Sequence, residues 1–207
     1  MDITIIGTGN MARGIATRAL AGGHGVTLLG REEAEARRVS EELGGGARTG
    51  AVGDPPAGEV VVLAVPYGAV EDVLAAYPDR LAGKVVVDIT NPVDFASFTP
   101  LDVPAGSAAQ EVAERAPAAR VVKGFNTTFA GTLSDGRVAG QALDVLLASD
   151  DQEAKALVAR LVEDGGMRPV DVGPLARAHE LEALGYLHMA VQGPLGTGFG
   201  SAVKLLA

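Results

Sequence analysis

A doubly wound α/β fold, with a mostly parallel sheet and helices on both faces, is predicted by three observations. Short apolar runs rich in Val and Ile alternate with Ala-rich stretches of helical period along most of the chain. Those runs are bounded by Gly and Pro, and they are apolar enough to be covered on both faces, as strands of a parallel sheet are. The first run passes straight into Gly7-Thr8-Gly9-Asn10-Met11-Ala12, a Gly-x-Gly-x-x-Ala turn that opens the first helix. Together they make the expected fold Rossmann-type, completed by a small C-terminal α+β extension.

Taken in order, residues 3–6 read as a buried strand, 10–21 as a helix, 26–29 as a second strand and 32–43 as a second helix that Gly44-Gly45-Gly46 ends. Residues 53–58 are a Gly/Pro loop; 60–65 and 85–89 are strands around a helix at 68–76. Pro92, Pro100 and Pro104 break the pattern into an irregular connection. A helix at 107–116 and a strand at 120–123 follow, then a loop with one helical turn at 124–140. The remainder reads as a strand at 143–148, a helix at 152–163, a strand at 169–172 and one long helix at 174–192, with Leu181, Leu184, His188 and Val191 on one stripe. The expected division is a nucleotide-binding domain at 1–123 and a small domain at 124–207.

Composition narrows the function. Hydrophobic residues are 47% of the 207 but aromatics only 4%, so the core is built from Ala, Val and Leu. The formal charge of −9 speaks against nucleic acid, which selects basic surfaces. The absence of Cys excludes disulfides, thiolate zinc sites and Cys nucleophiles. His179-Glu180 has Ala183 where a zinc helix needs its second histidine, so no metal site is expected. No run approaches the ~20 apolar residues of a membrane span. A soluble, cytoplasmic protein is expected.

The motifs point to a dinucleotide. Gly7 permits the tight turn, Gly9 lets backbone approach a pyrophosphate, and Ala12 keeps the helix close to the sheet. The helix-start N–H groups then face the phosphates. At the end of the second strand, where NAD enzymes carry an Asp or Glu for the ribose hydroxyls, this chain has Gly30-Arg31. A guanidinium can bond a 2′-phosphate through two donors, with Arg37 and Arg38 nearby, which favours NADP. Val65-Pro66 and Asn91-Pro92 stand at carboxyl ends of predicted strands, where ligands bind in open α/β sheets. His24 sits in a turn, and His179 and His188 point to opposite sides of one helix at about 100° per residue. Glu180 and Glu182 read as a solvated face. No catalytic acid, base or nucleophile emerges. That suits hydride transfer between two stacked rings, where the coenzymes carry the chemistry.

These pieces, with Lys123-Gly124-Phe125-Asn126-Thr127 and Leu181-Glu182-Ala183-Leu184-Gly185-Tyr186-Leu187, resemble the NADP reductases that use the deazaflavin coenzyme F420. The resemblance implies direct hydride transfer between NADP(H) and F420 in a cleft beside the C-terminal domain, in a homodimer. It implies that Thr8, Arg31, Val65, Pro66 and Asn91 touch NADP, and that Asn126 and the 184–189 helix face border the ring site. The chain departs from archaeal members at Gly30, where they often carry Ser or Thr, and this weakens the expected grip on the 2′-phosphate. The domain also resembles the cytoplasmic part of membrane metalloreductases. Reduction of a flavin, imine or carbonyl by NADPH, or a non-catalytic NADP sensor, are the competing readings.

Overall fold

The computed structural model describes residues 1–94 and 96–206. β1 (Asp2–Ile6) leads into α1 (Asn10–Ala21), β2 (Gly25–Gly30) into α2 (Glu33–Glu42), and β3 (Arg48–Ala51) follows. β4 (Val60–Leu63) precedes a 3-10 turn (Tyr67–Ala69), α3 (Val70–Ala75) and β5 (Val85–Asp88). A small hairpin, β6 (Val93–Asp94) and β7 (Thr99–Pro100), comes before α4 (Ala108–Arg115) and β8 (Arg120–Lys123). Then come α5 (Ala130–Leu133), the hairpin β9 (Arg137–Val138) and β10 (Gln141–Ala142), β11 (Asp144–Ala148), α6 (Gln152–Asp164) and β12 (Arg168–Gly173). A second 3-10 turn (Leu175–Arg177) leads into α7 (Ala178–Ala190) and α8 (Gln192–Leu195).

Eight strands make one sheet in the order β12-β11-β8-β5-β4-β1-β2-β3. The six strands from β3 to β8 are mutually parallel. The chain winds outward from β1 in one direction and from β4 in the other, so the crevice between their carboxyl ends is the switch point where such sheets bind ligands. Beyond β8 the sheet continues: β11 runs antiparallel to β8, and β12 parallel to β11. Strands on both sides of the 123/124 border therefore share one sheet.

Alternation along the strands feeds two core layers. Ile3, Ile5, Val60, Val62, Val85 and Val87 face one layer with Ile15, Val158 and Leu161. Ile6, Val61, Leu63, Val86 and Val121 face the other with Val70, Val73 and Val112. Each fully buried aliphatic side chain contributes about 1.5–3 kcal/mol, which is why these short runs hold the centre of the sheet.

Three elements differ from expectation. β3 is a strand where no element is expected, because Gly50 is its one buried residue and backbone pairing with β2 holds it in place. The single helix expected at 174–192 is a 3-10 turn, α7 and α8. Within α7 the buried stripe is Leu181, Glu182, Gly185, His188 and Met189, so Leu184 is only partly covered. The loop at 124–140 holds its one helical turn, α5, and also the start of the β9–β10 hairpin.

Candidate functional site

The glycine loop is set by contact with the neighbouring strand. Gly7 has φ +126°, and a Cβ there would stand 2.1 Å from the Ala64 carbonyl oxygen, so backbone fills the space a side chain needs. Gly9 differs: a Cβ there meets no protein atom within 4 Å, although Gly9 lines the main cavity. Protein packing therefore leaves that side of the loop open to a ligand. Gly9 is the N-cap of α1, with no side-chain cap and no acid in the first turn. The N–H groups at the start of α1 thus present a positive helix end to the cavity.

At the other end of the loop the charges are mixed. Arg31 and Arg38 are exposed and have no hydrogen-bond or ion-pair partner among the described residues, whereas Arg37 is held by Glu33 at 2.8 Å. A Cβ at Gly30 would lie 2.6 Å from the Glu32 carbonyl oxygen and 3.2 Å from Thr8 Cγ2, so a Ser or Thr would require local movement. Thr8 Oγ1 donates to Glu35 Oε2 at 3.4 Å, and Arg13 Nη1 donates to the Thr8 carbonyl at 3.0 Å. Glu35 escapes a reading of the strand tip because it reaches back from the first turn of α2.

The main cavity, about 630 Å³, brings together Gly9, Asn10, Met11, Val65, Pro66, Asn91 and Asn126 of the expected site residues. Gly7, Thr8, Gly30 and Arg31 lie outside its lining. Its remaining wall includes Phe98, Phe129, Met189 and Phe199. Phe129 stacks on His188 with centroids 4.2 Å apart and meets Phe199 edge-on at 5.1 Å.

Asn91 and Asn126 form an amide pair. Asn91 Nδ2 donates to the Asn126 carbonyl at 2.9 Å, and Asn126 Nδ2 donates to Asn91 Oδ1 and the Leu181 carbonyl, both at 2.9 Å. Two oxygen acceptors on Nδ2 fix the orientation of the Asn126 amide. Its Oδ1 is buried with no partner. An orphaned acceptor on a cavity wall calls for an N–H donor from a ligand, and a primary carboxamide supplies one. Gly185 lets α7 close on this pair, since a Cβ there would stand 2.8 Å from Asn91 Oδ1. Phe125, the neighbour of Asn126, is buried and held at φ +60°, a left-handed conformation that costs a bulky residue ~1–3 kcal/mol.

Behind Asn91 lies a buried charge cluster that sequence reading missed. Lys123 Nζ donates to Asp88 Oδ2 at 2.7 Å, to the Thr90 carbonyl at 2.6 Å and to Glu182 Oε1 at 2.6 Å. Glu182, expected on a solvated face, is 2% exposed and also accepts the Ala108 N–H at 3.0 Å. Burial pushes its carboxyl above the usual carboxylate range, against the pull of Lys123. Glu180 does lie on the exposed face, paired with Arg177 at 2.8 Å.

Among the described residues, no side chain that lines the cavity is poised as an acid or base. Among cavity-lining residues the one titratable group is Tyr67, whose hydroxyl donates to Glu111 Oε2 at 2.6 Å. Burial and Glu111 push that hydroxyl up to about 12. His188 is buried, with Nδ1 3.2 Å from the Thr127 carbonyl and Nε2 2.9 Å from Ser201 Oγ; burial lowers its pKa. His179 is exposed beside the Gly106 carbonyl at 3.0 Å. No cluster of metal-ligating side chains occurs among the described residues.

Comparison with known proteins fits this geometry. Residues 2–92 match the family model described as NADP oxidoreductase, coenzyme F420-dependent. The F420-dependent NADP reductase of Methanothermobacter thermautotrophicus is 31% identical over 89% of this chain and 86% of its own length. The metalloreductase STEAP3 of Rattus norvegicus is 32% identical over 88% of this chain, which spans only 36% of that protein. A solved structure from Arthrobacter sp. FB24, provisionally assigned as an F420-dependent NADP reductase, superposes with a TM-score of 0.87 at 31% identity, covering 99% of both chains.

Proposed function

The chain belongs to the coenzyme F420-dependent NADP oxidoreductases, and from that premise we propose that it transfers a hydride directly between NADP(H) and the deazaflavin coenzyme F420. The observation that carries this reading is the cavity: the open face of the Gly9 loop on one side, the aromatic wall and the orphaned Asn126 Oδ1 on the other, and no free acid or base between them. When bound, the two coenzymes supply the chemistry, a hydride moving with its electron pair between nicotinamide and deazaflavin.

The chain's own residues bind, orient and exclude water. Gly7, Gly9, Asn10 and Met11 hold the pyrophosphate at the start of α1, and Thr8, Gly30 and Arg31 receive the 2′-phosphate end. Val65, Pro66 and Asn91 flank the nicotinamide, and Asn126 Oδ1 accepts an N–H of its carboxamide. Phe129, Met189 and Phe199 give the second ring an apolar surface and keep water from the reacting atoms. In this reading residues 1–123 bind NADP and residues 124–207 complete the coenzyme cleft.

A homodimer and a cytoplasmic location belong to the same proposal. α7 leaves Leu187 62% exposed, between exposed Ala183 and Ala190, and Leu195 is 60% exposed beyond it. An apolar stripe of this kind suits self-association. No described helix is long and apolar enough to cross a membrane.

The test is to mix the protein with NADPH and oxidised F420 and follow the deazaflavin absorbance band. Loss of the band at the rate of NADPH oxidation is expected. An unchanged band, with turnover of a flavin, imine or carbonyl instead, would replace F420 as the acceptor. NADPH binding with no acceptor at all would make the protein a sensor.

A further inference from the structure

The geometry points to Lys123, Asp88 and Glu182 as a positioning device for the ring end of the cavity, an inference that rests on the functional reading above. The cluster spans four elements: Asp88 ends β5, Lys123 ends β8, Glu182 belongs to α7, and Ala108, whose N–H Glu182 accepts, starts α4. Asp88 and Lys123 are 0% exposed. The three Lys123 bonds, at 2.6–2.7 Å, use all three protons of the ammonium. Burying one ammonium with two carboxylates is a poor way to gain stability, because apolar residues of the same volume often do as well or better. What the charges add is direction.

That direction converges on Thr90. Lys123 Nζ takes its carbonyl at 2.6 Å, while Asp88 Oδ1 accepts its N–H at 3.0 Å and its hydroxyl at 2.8 Å. Every polar group of Thr90 is thereby fixed from below, and the next residue is Asn91, whose side chain faces Asn126 across the amide pair. Glu182 acts from the opposite side. It ties α7 to Lys123, and α7 supplies the Leu181 carbonyl that orients the Asn126 amide, the Gly185 surface against Asn91 and the Met189 wall of the cavity. The cluster therefore sets both members of the amide pair and leaves Asn126 Oδ1 as the free acceptor. None of the three charged groups lines the cavity, so they act through Asn91 and Asn126.

The test uses Glu182→Gln, which leaves the Lys123–Asp88 pair in place. NADPH affinity is measured by titration, the ring environment by the emission of bound NADPH, and the chemical step by single turnover with F420. The expected result is a folded protein that still binds NADPH, with altered emission of the bound coenzyme. Its chemical step should be slower by on the order of 10- to 100-fold, as sub-ångström to ångström misplacement produces. Combined with Asn126→Ala, the same change should slow the step little beyond Asn126→Ala alone, because both act through one amide. Unchanged emission and chemical rate with only a lowered melting temperature would make the cluster merely structural and overturn the inference. So would effects that multiply in the double variant. Asp88→Asn, which weakens the hold on Thr90 at a residue outside the cavity lining, is the second variant should Glu182→Gln not fold, and unchanged emission there overturns the inference equally. The emission readout needs no acceptor: a wild-type protein that binds NADPH but does not reduce F420 sinks the functional reading while the emission still decides the role of the cluster.

Discussion

Glu35 Oε2 lies 3.4 Å from Thr8 Oγ1, which places a carboxylate beside the loop end where a 2′-phosphate is expected. In the proposed site the exposed Arg31 would attract that phosphate and Glu35 would oppose it, so discrimination between NADP and NAD would be the difference of two terms. Glu35→Gln should tighten NADPH by about 2- to 5-fold, the size of an exposed charge interaction, and leave NADH nearly unchanged. Arg31→Ala should weaken NADPH by about 10- to 150-fold, the worth of a charge-assisted hydrogen bond. Titrating both variants with both cofactors checks the pair. Equal losses for NADPH and NADH in Arg31→Ala would remove Arg31 from the phosphate site.

The two loop glycines should fail in different ways. Gly7→Ala drives a Cβ toward the Ala64 carbonyl, 2.1 Å away in the present geometry, and should lower the melting temperature markedly. Gly9→Val meets no protein atom near its Cβ and should fold normally yet lose NADPH. Melting curves with and without NADPH separate these outcomes. Normal NADPH binding by Gly9→Val would move the pyrophosphate elsewhere.

Hydride transfer should proceed without a side-chain acid or base. A group in that role contributes ~100- to 10,000-fold, whereas His188→Ala or His179→Gln should alter the single-turnover rate far less once binding effects are removed. Deuterium at C4 of NADPH should appear on the acceptor ring without passing into solvent. Wash-out of the label, or a thousand-fold loss in either histidine variant, would contradict direct transfer.

Acid should loosen the C-terminal tail. Asp144 is fully buried; burial raises its pKa, but bonds from Arg168, Lys204 and the Leu205 N–H outweigh that and bring it to about 2. A carboxyl with a folded pKa below its ordinary value of 3.8 adds stability that is fully present above that value and disappears as pH falls through 2. The contribution is on the order of 2 kcal/mol. Asp144→Asn should lose about that much at neutral pH and show a flatter stability curve between about pH 4 and 2. An unchanged acid limb in the variant would show that another carboxylate governs the tail.

What the sequence discloses about this molecule depends on range. Residues 3–6, 60–63 and 85–88 advertise strands because both faces of each are covered, and Gly7 to Ala12 advertises its turn because the requirement is local. β3 is invisible by that route, since its place comes from the backbone of β2 rather than from apolar side chains. Glu182 looks solvated beside Glu180 until its partner is known, and Lys123 lies 59 residues away. The amide of Asn126 is suggested by resemblance alone, and only the fold reveals that Asn91 and Leu181 engage its nitrogen and leave its one oxygen unclaimed.

The seam between β8 and β11 joins the two segments of the chain into one sheet. The two strands meet antiparallel at Ala148 and Lys123, the same lysine that anchors the buried cluster. A chain ending at residue 123 would keep the Lys123–Asp88 pair but lose Glu182 and the neighbouring strand, leaving β8 as a raw edge with that ion pair uncovered beneath it. Residues 1–123 should therefore not fold stably by themselves, which expression of that segment alone would check. Because strands from both segments share one sheet, unfolding should be a single cooperative event, seen as coincident transitions by different probes.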